Sequence, residues 1–353
     1  MKIIETDILI IGAGLTGLTI AYLLRKQNKS VTIVEARDRI GGRIHTKYSD
    51  ILAPQEMGAT WLGKRHTTLI DLLKELNVGV FKQELSDKAI YEAISTSPPQ
   101  LVSLPPNSEP SFRIQNGTST LINALVDELD TNQIYLSQAI QTIENEAIGV
   151  SVKSDSHHFK ASKVISTLPP NLLLNTISVS PALPDSIVNI GKQTHTWMGE
   201  SIKVSLTYNK PFWRTEHSSG TIVSNVGPIP EMYDHSNYED NRFGLKGFLN
   251  GAYFSMTKSE RLELIMKQLE KYYGSAARHF LTYEETVWRK EKFTFTVYNS
   301  HILPHQNNGH SIFQQSFLDG KLWIAGAETA GQFPGYMDGA VRSARFVVGE
   351  LLK

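Results

Sequence analysis

The sequence predicts a two-part protein, an α/β unit with a parallel sheet joined to a second, α+β unit. Three observations predict it: an apolar strand running straight into a glycine loop at residues 8–17, a second buried strand ending in an acid at 31–35, and a strictly alternating strand at 201–208. At 353 residues the chain is long for a single core, which also argues for two domains.

Ile8 to Ile11 run without alternation, as suits a strand buried on both faces of a parallel sheet. Gly12, Gly14 and Gly17 follow at G-x-G-x-x-G spacing, with Leu15 and Thr16 between the last two. The first glycine permits a tight turn, the second lets backbone approach a pyrophosphate, and the third lets helix pack on strand. Thr16 to Gln27 continue as a helix whose N-terminal N–H groups and dipole face the phosphates. The second strand, Val31 to Val34, ends in Glu35, whose carboxylate can accept hydrogen bonds from both hydroxyls of an adenosine ribose. Strand, glycines, helix, strand and acid in register predict a dinucleotide site. They do not distinguish NAD from FAD.

Ala36 and Arg37 follow Glu35, and then Gly41-Gly42-Arg43, where the glycines allow close backbone approach and Arg43 can clamp a diphosphate bidentately. The stretch Gln55 to Gly63 brings Gly58, Ala59, Thr60 and Trp61 into a short loop, and a helix is predicted over His66 to Asn77 with leucines at helical spacing. Five prolines in Ser95 to Pro110 forbid helix and central strand, so a crossing loop or linker is expected there. A helix starts near Ser119. Strands Ile134–Leu136, Ala139–Glu144, Ala147–Lys153 and Phe159–Ile165 suit an antiparallel layer added to the nucleotide fold, the last closed by prolines after Thr167.

A second block begins near Thr196. In Ser201 to Tyr208, Ile202, Val204, Leu206 and Tyr208 face one side and Ser201, Lys203, Ser205 and Thr207 the other. Strands are expected over Thr221–Asn225, Phe243–Phe254, Glu285–Trp288 and Phe293–Tyr298, around a helix Lys258–Tyr273 opened by Thr257 and Glu260 in capping-box spacing and closed by Gly274. The chain then returns to a buried strand in Leu322 to Thr329. A glycine-rich loop leads to a helix over Ala340 to Leu352, whose start at Met337 is suited to negative charge. Both ends of the chain thus build one nucleotide site.

Composition narrows the function. Lysine plus arginine and aspartate plus glutamate both number 35, so no bulk charge favours nucleic acid or an anionic membrane. No apolar run is long enough to span a bilayer. The N-terminal apolar run is used as the first strand and not as a signal peptide, and no membrane tail is expected at Leu351-Leu352-Lys353. Cysteine is absent, which excludes disulfides, thiolate metal sites and any cysteine–cofactor bond and is compatible with the cytoplasm. The eleven histidines are read as surface and loop residues, and no metal is expected.

GAGLTG with Glu35, Gly41 to Arg43, EMGATWLG, SIKVSLTYNKPFWR, IAGAET and PGYMDGAVRSA together resemble the flavin-containing amine oxidases, in family order from residue 7 to about 349. The resemblance implies an α/β + α+β protein, with an FAD-binding Rossmann-like (GR2-type) domain over 1–80, 113–195 and 299–353. A smaller mixed-sheet substrate domain takes 81–112 and 196–298. It implies FAD, with Gly12, Gly14, Gly17 and Glu35 at the ADP half, Arg43 near the diphosphate, Glu328 and Thr329 by the ribityl and diphosphate region, and backbone around Ala139 at the adenine. Leu15, Thr16, Ala36, Arg37, Gly42, Gly58, Ala59, Thr60 and Gly326 complete the expected cofactor contacts, and Met337 brings a backbone N–H toward the flavin pyrimidine.

By the same resemblance Lys203 reaches flavin N5 through water, while Tyr298 and Tyr336 flank the flavin face and sandwich the amine. Tyr298 falls on the same side of its predicted strand as Thr294 and Thr296, which fits a cavity-facing residue. Trp288 matches a family tryptophan near the flavin or a core residue. Val297 stands where covalently flavinylated members have cysteine, so FAD is expected to be non-covalent. Relatives carry a long helical insertion where this chain has only Leu85 to Arg113, so much of a lid is expected to be missing. The implied reaction is oxidation of an amine to an imine by hydride loss to flavin N5, with dioxygen giving hydrogen peroxide. Two other readings stay open: an FAD-dependent dehydrogenase or NAD(P)H-reactive flavoprotein, and a flavin-binding protein without turnover.

Overall fold

A computed structural model describes residues 2–27, 29–105 and 109–353. Its main sheet has eight strands. Lys2–Ile11 lies near the middle, parallel to Val31–Val34 on one side and to His157–Ser166 on the other. Ile134–Tyr135 extends the Val31–Val34 edge in parallel, and Leu322–Ile324 pairs in parallel with the last residues of His157–Ser166. The apolar run reads as expected: Ile8 and Ile10 pack toward the helices Leu15–Arg25 and Met337–Leu351, and Leu9 and Ile11 pack into a second core on the opposite face. Each face buries aliphatic side chains completely, which is why the run shows no alternation.

The antiparallel strands Ile140–Asn145 and Val150–Ser154 form no separate layer. They continue the main sheet through the first half of His157–Ser166, a ten-residue strand long enough to pair twice along its length.

The second sheet has seven strands, in the order Phe280–Val287, Ile202–Tyr208, Phe243–Leu249, Glu231–Asp234, Ser218–Ser224, Lys88–Glu92, Gln100–Ser103. The helix Lys258–Tyr273 packs on it through Ile265, Met266 and Leu269. Its capping box is present as predicted: Thr257 and Glu260 bond reciprocally, and Gly274 ends the helix at φ +70°.

Three further readings are corrected. The proline-rich stretch holds an edge strand, Gln100–Ser103, paired antiparallel with Lys88–Glu92; its prolines flank the strand, where no ladder hydrogen bond is lost. Residues 106–108, including Pro106, lie outside the described residues. The strand expected to Phe254 stops at Leu249, because the Asn250 side chain accepts from the Ala252 N–H (2.9 Å) and turns Gly251–Ser255 into a tight helical turn. Phe293–Tyr298 is no strand. The Thr294 and Phe295 N–H groups both return to the Glu291 carbonyl (2.8 and 2.9 Å), and side chains of Arg37 and Asn171 take the Phe293 and Thr296 carbonyls, leaving no ladder to join. Both faces of Ile202–Tyr208, apolar and polar alike, are buried. Its polar face lies against Gln55–Gly58: Lys203 donates to the Gly58 carbonyl (2.5 Å) and Gln55 to the Ser205 carbonyl (3.4 Å).

Candidate active site

A cavity of about 620 Å³ runs from the glycine loop to the polar face of the second sheet. Gly12, Gly14, Leu15, Thr16, Glu35, Ala36, Arg37, Gly42, Arg43, Gly58, Ala59, Thr60, Ala139, Lys203, Trp288, Tyr336 and Met337 all line it. Gly17, Tyr298, Gly326 and Glu328 do not, and their positions show why.

Gly12 takes φ +108°, and a Cβ on Gly17 would lie 2.0 Å from the Gly12 carbonyl oxygen. Gly17 therefore sets the helix against the strand and never faces the cavity. Gly14 is different: a Cβ there would meet nothing nearer than the Gly42 Cα at 4.0 Å. The space above it is open, as a seat for a diphosphate must be. The helices starting at Leu15 and Met337 both open on this cavity without a side-chain cap, so their first N–H groups remain for a ligand.

Glu35 is fixed by the backbone. Its two carboxylate oxygens accept from the Ala13 and Arg37 N–H groups, each at 2.9 Å. The Gln138 N–H bonds the Glu35 carbonyl (2.8 Å), which places Ala139 beside it. Arg37 reaches sideways to Glu291 (2.9 Å) and Thr294 Oγ1 (2.7 Å) and ties the 291–294 turn to the cavity rim.

Arg43 meets Glu328 in a bidentate ion pair, at 2.5 and 2.8 Å. Glu328 is wholly buried and also accepts from the Trp197 N–H (3.3 Å). Burial opposes the Arg43 charge, but the Glu328 carboxylate beside it outweighs that and holds the guanidinium charged. Glu328 thus acts on the cavity through Arg43 and the Trp197 backbone. Gly326, at φ +145°, and Thr329 anchor the turn behind it by bonding Ser343 Oγ at 3.0 and 2.9 Å.

At the far end Lys203 is 6% exposed. Its ammonium donates to the Gly58 carbonyl (2.5 Å) and lies 4.8 Å from the centre of the Phe248 ring. Burial pushes it down to about 8, against the pull of Glu56 and Glu231. A second buried lysine, Lys246, donates to Thr60 Oγ1 and, at 3.4 Å, to the same Gly58 carbonyl. Burial and then the Lys203 charge hold Lys246 well below the usual lysine range. Sequence reasoning missed it, although a lysine inside the apolar run FGLKGFL was a visible signal. Trp288 is core and cavity wall at once: its indole N–H bonds the Met57 carbonyl at 2.9 Å.

The two tyrosines are not brought together. Tyr336 stands on the cavity wall with Trp197 5.9 Å away. Tyr298 sits behind the wall, stacked on His195, and its hydroxyl accepts from the Thr196 N–H (2.7 Å). With no strand to project it, Tyr298 follows the turn and not the predicted alternation. Trp197 stacks on His305 (4.0 Å between ring centres) and is the aromatic neighbour of Tyr336 on the wall. Nothing in its sequence spacing marked it. His301 and His305 stand four residues apart but on a non-helical segment. Among the described residues no group of three histidine, aspartate or glutamate side chains could hold a metal.

A glycine loop, a ribose acid and two uncapped helix ends at one end of a cavity, with a buried lysine at the other, agree with what comparison finds. The family model of flavin containing amine oxidoreductases matches residues 15–96 and 91–352. The chain belongs to this family. A probable flavin-containing monoamine oxidase A of Dictyostelium discoideum is 23% identical over 98% of this chain and 97% of its own. The putrescine oxidase of Kocuria rosea is 23% identical, over 99% and 95%. Human amine oxidase [flavin-containing] B is 22% identical, over 99% and 86%. The first of these alignments covers 450 positions, more than this chain's 353 residues, so that relative carries segments with no counterpart here. Among solved structures, putrescine oxidase bound to putrescine superposes with a TM-score of 0.86 at 23% identity, covering 99% of both chains. Cyclohexylamine oxidase from Brevibacterium oxydans IH-35A does so at 0.85 and 21%, covering 99% and 100%. The fold is that of these flavoenzymes. Among the described residues no helix is long and apolar enough to cross a membrane.

Proposed function

We propose that this member of the family is an FAD-dependent amine oxidase that converts an amine to an imine, with dioxygen as the final acceptor and hydrogen peroxide as by-product. The observation that carries the reading is the single cavity joining the glycine loop to Lys203 and Tyr336. The residues present fit FAD. Gly14 leaves an open floor for the diphosphate with Gly42 packed closely beside it, Glu35 stands ready for the ribose, and the helix N-terminus at Met337 suits the electron-rich end of a flavin. FAD, once bound, supplies the acceptor for two electrons and the hydrogen on the carbon next to nitrogen. With no cysteine in the chain, and Val297 65% exposed, non-covalent binding is part of the proposal. So are the division into cofactor and substrate parts given above and an open, lid-poor cavity.

The protein's own residues then position and select. Lys203 holds a water by the reacting face and carries charge only below about pH 8. A neighbouring ammonium is repelled there, so the neutral amine binds. Tyr336 and Trp197 wall the amine, and Tyr298 works one step back by fixing the Thr196 backbone. Anaerobic mixing of the FAD-loaded protein with a panel of amines tests the proposal. Bleaching of the flavin by an amine, followed by peroxide on admitting oxygen, is expected. Bleaching by NADH or NADPH alone would select the dehydrogenase reading, and none by either would select binding without turnover.

A further inference from the structure

A second pocket, of about 20 Å³, lies where the small sheet Trp61–Gly63, Ser111–Ile114, Val80–Lys82 meets the end of strand Glu231–Asp234. Arg113 and His235 face it, 8% and 4% exposed, and Arg113 Nε and His235 Nδ1 have no hydrogen-bond partner. The guanidinium lies over the Phe81 ring at 4.5 Å and, among the described residues, makes no ion pair, the nearby Asp234 being paired with Arg214. Burial pulls this guanidinium down to about 10, against the pull of Asp234 and Glu56, so it remains charged at neutral pH.

The neighbouring carboxylates are already engaged. Asp234 accepts from Trp213 Nε1 (2.8 Å), Arg214 Nε (2.7 Å) and the Ser236 N–H (2.8 Å). Glu56, also on the pocket wall, accepts from the Thr118 N–H and from Thr46 Oγ1 (2.9 Å) and faces Lys246. Arg113 is therefore a buried cation whose nearest carboxylates, Asp234 and Glu56, are shared with other donors, a state that favours an added anion. We infer that this pocket binds a small monovalent anion of chloride size, held by the Arg113 Nε–H and a His235 Nδ1–H. The space is of the order that admits a single small occupant. Burial, then the neighbouring Arg113 and lysine charges, hold His235 well below the usual histidine range, and in the Nδ1–H tautomer the neutral ring donates into the pocket.

Bromide is the probe, on the full chain. Crystals grown in sodium bromide should show an anomalous peak between Arg113 and His235. The melting temperature should rise saturably, by about 2 °C, when chloride or bromide replaces gluconate at constant ionic strength. Arg113→Met keeps the stem over Phe81 and removes the charge, and should abolish the halide response; His235→Phe should weaken it at least threefold in midpoint. A site that shows water and no anomalous signal, or a wild-type melting temperature indifferent to halide, overturns the proposal whether or not either variant folds.

Discussion

The two ends of the main cavity are built from different materials. The end at Gly12 to Glu35 is backbone: turns, helix N-termini and a carboxylate gripped by two N–H groups. The end at Lys203 and Tyr336 is side chain, carried on a strand and on a helix from opposite halves of the molecule. Backbone geometry is fixed by local spacing and tolerates an added atom only where the chain leaves open space. Side-chain geometry depends on which elements meet, and it tolerates exchange at a cost in chemistry. Substitutions at the two ends should therefore fail in different ways.

The sharpest break is within the glycine loop itself. Gly17→Ala puts a Cβ against the Gly12 carbonyl and should cost about 3 kcal/mol or more, read by urea unfolding of the apoprotein. Gly14→Ala meets no backbone that close. It should leave apoprotein stability nearly unchanged and weaken FAD binding about tenfold or more, read by retention on a desalting column. Equal stability losses in the two variants would erase the distinction between packing glycine and binding glycine.

Next in size is the ion pair behind the wall. Glu328→Gln leaves Arg43 without its bidentate partner, and a loss of about 2–3 kcal/mol is expected in the same urea experiment. Arg43 is partly exposed, which keeps the loss below that of a fully buried pair. If stability held and only FAD affinity fell, Glu328 would belong to the cofactor site after all.

These differences explain what the sequence could show. Ile8 to Glu35 could be read residue by residue, because a parallel strand, a glycine turn and an uncapped helix are all local. The capping box at Thr257 was legible for the same reason. Lys203 was legible only through the motif around it, since alternation alone placed it on the polar side of its strand, and the contact with Gly58 that buries it spans 145 positions of sequence. Tyr298 was misplaced because Phe293–Tyr298 alternates like a strand. Nothing local reveals that Glu291, Arg37 and Asn171 occupy its backbone groups. Trp197 and Lys246 were missed because their roles exist only once the two halves are in contact.

A smaller effect, of opposite sign, separates chemistry from stability at the side-chain end. The folded protein holds Lys203 near 8, against 10.5 for a free lysine. Between those values the unfolded chain binds a proton that the folded chain does not, so stability rises with pH through that window, and at neutral pH the buried charge is a cost. Lys203→Met should accordingly gain about 1 kcal/mol near pH 7 while removing a group near 8 from the pH profile of kcat/KM. A destabilised variant with an unchanged profile would return Lys203 to a structural role.

The least perturbing change tests the aromatic wall. Tyr298→Phe deletes one hydrogen bond, from the Thr196 N–H, whose net worth is about 1 kcal/mol. Because that bond anchors the residue before Trp197, the amine KM should shift by about fivefold or less with kcat nearly constant. Trp197→Ala, which removes a ring from the cavity wall itself, should shift KM further. The order of the two decides the geometry. A larger effect from Tyr298→Phe than from Trp197→Ala would mean that the turn at 293–298 swings inward once cofactor and amine are in place, pairing the two tyrosines as the sequence first implied.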